Sequence, residues 1–112
     1  MQRTQQTTIY IPTVHLAKNG LRITDVEADG RTQYKVRDTS TGGEYYAAFV
    51  KRAGVYLIQP LEWLFDVGRF EPEGEPAKVM PGVEIIGTVT DIYRFYRVPN
   101  AFDYEREAAA HA

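Results

Sequence analysis

Apolar and polar residues alternate in short runs separated by turn signals along most of this chain, the period of strands that bury one face. In residues 7–16, Ile9, Ile11 and Thr13 alternate with Tyr10, Pro12 and Val14. Pro12 lacks the N–H that a ladder needs, so this strand is expected at a sheet edge or at a bend. Asn19-Gly20 is a strong turn signal. Leu21, Ile23 and Val26 are the apolar members of residues 21–28, and Asp29-Gly30 marks a second turn. Residues 32–37 set Gln33, Lys35 and Arg37 on one side and Thr32, Tyr34 and Val36 on the other. A polar connection from Asp38 to Gly43 returns the chain into residues 44–51, the clearest hairpin. Arg52-Ala53-Gly54 then turns into residues 55–59, extending the hairpin to a meander.

The pattern changes in residues 60–70. Leu61, Leu64 and Phe65 have helical spacing, with Trp63 and Val67 nearby, which predicts either one short helix or an irregular aromatic-rich loop. Glu71-Pro72-Glu73-Gly74-Glu75-Pro76 reads as an acidic surface loop. Pro81-Gly82 opens a final long strand over residues 83–98, and Pro99-Asn100 ends it. Residues 105–110 favour helix within a C-terminal tail too short to hold one alone. The expected fold is mainly β, a small curled antiparallel sheet or barrel-like domain. It has at most one short helix and a short C-terminal helical tail. Residues 1–112 form a single domain, with 1–7 and 101–112 as flexible tails.

Composition narrows the function classes. With 112 residues the chain has room for one core, and its apolar fraction of 44% is that of a folded domain. It has no cysteine, which excludes disulfides, thiolate catalysis and cysteine-ligated metal. The formal charge of −2 disfavours a partner held mainly through phosphates, so nucleic acid is the weaker expectation. The polar first residues lack a signal-peptide core and no apolar run is of bilayer length. A cytoplasmic protein without a membrane partner is expected.

Candidate chemistry is sparse. Ser40, the one serine, lies in a Thr/Gly turn where hydroxyls commonly bond local backbone. His15 and His111 have no suitably spaced carboxylate. Glu71, Glu73 and Glu75 read as a solvated acidic loop, and no glycine-rich phosphate cradle is present. No catalytic residue, metal site or cofactor is therefore expected. Two clusters remain: Lys51-Arg52 beside a turn, and Tyr93-Arg94-Phe95-Tyr96-Arg97, which interleaves aromatics with arginines. Tyrosine and arginine are enriched at binding hot spots, and the same mixture suits base stacking. Simple alternation turns Tyr93 and Phe95 inward and leaves Arg94 and Tyr96 outward.

Three segments occur in a suggestive order: Phe49-Val50-Lys51-Arg52, then Gly54-Val55-Tyr56-Leu57-Ile58-Gln59-Pro60, then Val83-Glu84-Ile85-Ile86-Gly87-Thr88-Val89 leading to Tyr93-Arg94. Their order and spacing resemble the C-terminal domain of LexA/UmuD-type self-cleaving repressors, over roughly residues 44–97. That family activates a serine in a Ser-Met-x-Pro motif with a neutral lysine. Lys51 takes the lysine position, but no such serine motif is present, and Ser40 lies across a hairpin from it. The resemblance therefore implies a catalytically dead relative or a rebuilt fragment. By analogy with the family's dimerising domains, it implies a non-catalytic interaction module, either a homodimer or an antirepressor-like inhibitor from a phage or mobile element. Such an inhibitor would occupy the surface of a repressor or of a host defence complex. The expected contacts are Tyr93 to Arg97, with Lys51, Arg52 and the acidic Glu71, Glu73 and Glu75. The alternative is a small barrel binding nucleic acid through the aromatic and basic strand.

Overall fold

In the computed structural model, which describes residues 7–97, the alternating runs become seven strands and one 3-10 turn. The strands are β1 (Thr7–Leu21), β2 (Tyr34–Asp38), β3 (Glu44–Arg52), β4 (Val55–Leu64), β5 (Arg69–Pro72), β6 (Ala77–Lys78) and β7 (Val83–Arg97), with the 3-10 turn Ile23–Asp25 between β1 and β2. They form one antiparallel sheet in the order β1-β7-β2-β3-β4-β5, with β6 also on the β4 edge. The sheet is open but curled. The Tyr10 N–H donates to the Phe65 carbonyl at 3.0 Å, and the Trp63 indole N–H donates to the Tyr10 carbonyl at 2.8 Å. Strand β1 thus meets the end of β4.

Alternation decides which side chains fill the core. Tyr34 and Val36 of β2, Ala47 and Phe49 of β3, Ile58 of β4 and Ile85 of β7 pack together with Val26 from the β1–β2 connection. Val36 and Phe49 are fully buried. Burying a side chain of that size contributes about 1.5–3 kcal/mol. The Tyr34 ring meets Phe49 edge-on, with centroids 5.6 Å apart, and its hydroxyl accepts the Glu27 N–H at 2.7 Å. The opposite face carries an aromatic cluster: Phe70 packs edge-on against Trp63 and Tyr46, at 4.6 and 5.0 Å. The Lys35 ammonium lies 4.2 Å from the Tyr46 ring centroid.

Several expectations change. Residues 60–70 hold neither helix nor irregular loop: β4 continues to Leu64 and a tight turn leads into β5. Trp63 and Phe70 face each other across that hairpin, so strand pairing overrides the helical spacing. Pro60 fits because its carbonyl accepts the Glu73 N–H. Its ring nitrogen faces that same side, past the end of β5, where no ladder donor is needed. Glu71 and Pro72 belong to β5, not to a loop, while Glu73 and Glu75 do lie beyond it.

Asn19-Gly20 does not close a hairpin. Leu16 pairs with Gly87 and Leu21 with Ile85, so residues 17–20 of β1 bow out opposite Ile86 alone. Gly20, at φ +73, supplies the left-handed step, and a Cβ there would sit 3.2 Å from the Ile85 carbonyl. Residues 21–28 form the end of β1 and the 3-10 turn, and only Val26 among them is buried. The expected helical tail and the C-terminal end of the last strand lie outside the described residues, as do most of the two expected tails.

Candidate functional site

Strand β7, as long as β1 at 15 residues, serves two neighbours in turn. Residues 83–88 pair with β2, and residues 85–97 pair with β1. Between the two regimes, Val89 pairs with Val14 and Asp91 with Thr13, leaving Thr90 without a partner. This β-bulge bends the strand and shifts its alternation by one residue. Beyond it, β1 and β7 continue as a two-stranded ribbon from Thr13–Asp91 to Thr7–Arg97.

The two faces of the ribbon differ. Directly opposed residues share a face, so Ile9 and Phe95, Ile11 and Tyr93, and Thr13 and Asp91 lie together. Tyr93 and Phe95 are 59% and 53% exposed, against the inward position that alternation assigns them. No layer of the described residues covers this face. The other face carries Tyr10, Pro12, Ile92, Arg94 and Tyr96. Tyr10 is wedged against the β4–β5 turn, where Gly68 at φ +69 has room for its ring only because it has no side chain. On this face the Tyr96 hydroxyl, then the negative potential of the Tyr10 phenol, hold the Arg94 guanidinium above its ordinary pKa.

The two edges of the ribbon also differ. Both backbone polar groups of Tyr10 point away from β7, toward Phe65 and Trp63. The Tyr10–Arg94 pair is therefore a non-hydrogen-bonded one, and the Arg94 N–H and C=O point outward, away from β1. The same parity applies to Ile92 and Tyr96. The Ile92 N–H is taken by the Asp91 carboxylate at 2.7 Å, whereas the outward groups of Arg94 and Tyr96 have no backbone partner among the described residues. The outer edge of β1, by contrast, is blocked by Pro12 and by the Phe65 contact.

The remaining candidates lie elsewhere. Lys51 and Arg52 end β3 beside the Ala53-Gly54 turn, and the Lys51 ammonium sits 5.0 Å from the Tyr56 ring centroid. That turn is at the opposite end of β4 from Phe65, roughly 30 Å along the strand at about 3.3 Å per residue. The basic pair and the ribbon thus form no common patch. Glu71 is paired with Arg69 at 2.8 Å and stands opposite Glu62 on β4. Ser40 bonds the Asp38 carboxylate through both its hydroxyl, at 2.6 Å, and its N–H, at 2.9 Å. It lies beside the start of β3 and Lys51 beside the end, so the two make no dyad.

A shallow depression of about 300 Å³ opens beside the β1 bulge, lined in part by Leu16, Lys18, Arg37 and Glu84. Arg37 there is already committed to Glu44 and Glu84, at 3.0 and 3.2 Å. Among the described residues no three histidine or carboxylate groups converge as a metal site would require, and no helix is long and apolar enough to cross a membrane. Residues missed by the sequence reading are Ile9, Ile11 and Tyr10, which complete the ribbon. Their alternation is visible, but nothing local shows that they face Tyr93, Arg94 and Phe95 across more than eighty residues. Comparisons with protein-family models, characterised proteins and solved structures find no match.

Proposed function

We propose that this protein is a non-catalytic interaction module that takes up an extended strand of a protein partner along the outer edge of β7. The observation that carries the reading is the asymmetry of the ribbon. One edge is blocked by proline and a tertiary contact, while the other presents the backbone groups of Arg94 and Tyr96 beside exposed Tyr93 and Phe95. Two-stranded ribbons are marginal alone, and a third strand adds ladder bonds and apolar cover together. Its action on the partner is surface occupation, since a strand held here is withheld from the partner's own assembly.

Proline substitution provides the test. Arg94→Pro removes an outward N–H and leaves the β1–β7 ladder bonds intact, whereas Tyr93→Pro removes an inward one. Selection of a displayed library of random nonapeptides on the immobilised protein is expected to enrich alternating apolar sequences. Those peptides are expected to bind Arg94→Pro at least about tenfold more weakly, a loss of some 1.4 kcal/mol for the missing bonds. Equal binding to both proteins refutes the edge as the site. A fluorescent single-stranded oligonucleotide at low salt is the counter-test, because electrostatic binding is strongest there. Saturable, salt-sensitive binding would replace the protein-partner reading with the nucleic-acid one.

A further inference from the structure

The open edge of β7 is complementary to itself. We propose that the strand it accepts is the β7 edge of a second copy of this chain, paired antiparallel about a twofold axis at Arg94. This rests on the strand-addition reading and names its partner. In an antiparallel pair, opposed residues share a face and the outward groups must meet outward groups. Ile92, Arg94 and Tyr96 are the outward-facing residues, so the axis can fall on one of them or midway between two.

With the axis at Arg94, Tyr93 of one copy stands opposite Phe95 of the other and Ile92 opposite Tyr96, each twice. Both are favourable cross-strand pairs: two aromatics, and an aromatic against a β-branched residue. The exposed faces of the two ribbons then become one continuous apolar surface of Ile9, Ile11, Tyr93 and Phe95 from both copies. An axis at Tyr93 instead sets Asp91 against Phe95 and Ile92 against Arg94, a charge against an apolar side chain in each case. An axis at Phe95 leaves Ile92 with nothing opposite it in β7.

Two features make this association weak and reversible. Arg94 meets its own copy at the axis, the one unfavourable pair in the register. In the single chain, moreover, Asp91 already caps the Ile92 N–H at 2.7 Å. The carboxylate must leave that donor before the N–H can meet the Tyr96 carbonyl of the second copy. The Asp91 side chain thus guards the edge of the separate chain.

Arg94 at the axis gives a test that other partners and other registers do not share. Sedimentation velocity across a concentration series should show reversible, concentration-dependent dimerisation of the wild type. Arg94→Glu alone keeps a like-charge pair at the axis and should dimerise comparably. A one-to-one mixture places opposite charges there and should form a mixed dimer about threefold to tenfold tighter than either parent. That preference should fade in high salt, and Arg94→Pro should abolish dimers. Thermal melts of each variant establish that the chains remain folded. A wild type that stays monomeric at the highest concentration overturns the proposal, as does a mixture no tighter than its parents. If nonapeptides still bind the edge in that case, the strand-addition reading stands and only the second copy is lost.

Discussion

Replacing Gly68 with alanine separates two costs that a single glycine usually hides. Gly68 sits at φ +69, and a Cβ there would lie 2.6 Å from Tyr10 Cγ and 2.9 Å from both Cδ atoms. The left-handed backbone alone costs alanine about 1–2 kcal/mol. Gly42 supplies the control, with φ +77 and nothing within 4 Å of an added Cβ, so Gly42→Ala carries only that cost. Gly68→Ala must also move the Tyr10 ring, and overpacking of this kind costs about 1–3 kcal/mol more. The ring belongs to the residue whose backbone bonds Phe65 and Trp63, so the seam between β1 and β4 is strained with it.

Trp63, the one tryptophan of the chain, is part of that seam and reports on it directly. Urea unfolding followed by its emission is expected to place Gly68→Ala about 2 kcal/mol below Gly42→Ala. In a domain of this size that difference is about 8 °C in melting temperature. Adding Tyr10→Ala to Gly68→Ala should cost less than the sum of the single changes, because the clash has gone. Gly68→Ala within about 0.5 kcal/mol of Gly42→Ala would refute the packed seam, since that is the scatter of unrelated surface changes.

Three further outcomes are expected. Gly87→Ala should destabilise by about 3 kcal/mol in the same urea assay, because its Cβ would meet the His15 carbonyl at 2.6 Å and backbone cannot swing aside. Ala53 has φ 50 in the two-residue Ala53-Gly54 turn, so Ala53→Asn should raise stability by about 0.5–1 kcal/mol, read as a higher urea midpoint. Asp29 is held below its ordinary pKa by the N–H groups of Thr32 and Arg31, and Asp38 by the hydroxyl and N–H of Ser40. Depressed folded pKa values mean that this stabilisation is complete above about pH 4 and is lost as pH falls below it. Urea midpoints between pH 5 and pH 2 should fall less steeply for an Asp29→Asn/Asp38→Asn variant, and an unchanged slope would count against those turns.

The parts of the fold legible in the sequence are those fixed by neighbours along the chain. The β2–β3 hairpin is readable because Tyr34 and Val36 alternate cleanly and the Asp38 to Gly43 connection has turn chemistry. Residues 60–70 misled because Leu61, Leu64 and Phe65 fall at helical spacing by coincidence, while the decisive partners of Trp63 are Phe70 across the hairpin and Tyr10 across the sheet. Asn19-Gly20 has hairpin chemistry, but it serves a bulge because Gly87 holds the adjacent segment of β1 so close. Within the ribbon, alternation correctly groups Tyr93 with Phe95 and Arg94 with Tyr96. It assigns the first pair to an interior that this part of the sheet does not possess. A period of two identifies faces, whereas burial needs a second layer.

Thr90 carries a consequence for how chains of this kind can change. It stands outside the pairing between Val89 and Asp91. Deleting that single position, with the pairing of β1 unchanged, would leave Asp91 opposite Thr13, Tyr93 opposite Ile11 and Phe95 opposite Ile9, because the ladder is already in register on both sides of it. The faces and the open edge of the ribbon would stay as they are, and the strand would lose only its bend. Length at this position therefore sets the angle at which the ribbon leaves the sheet, whereas residue type sets what its faces offer.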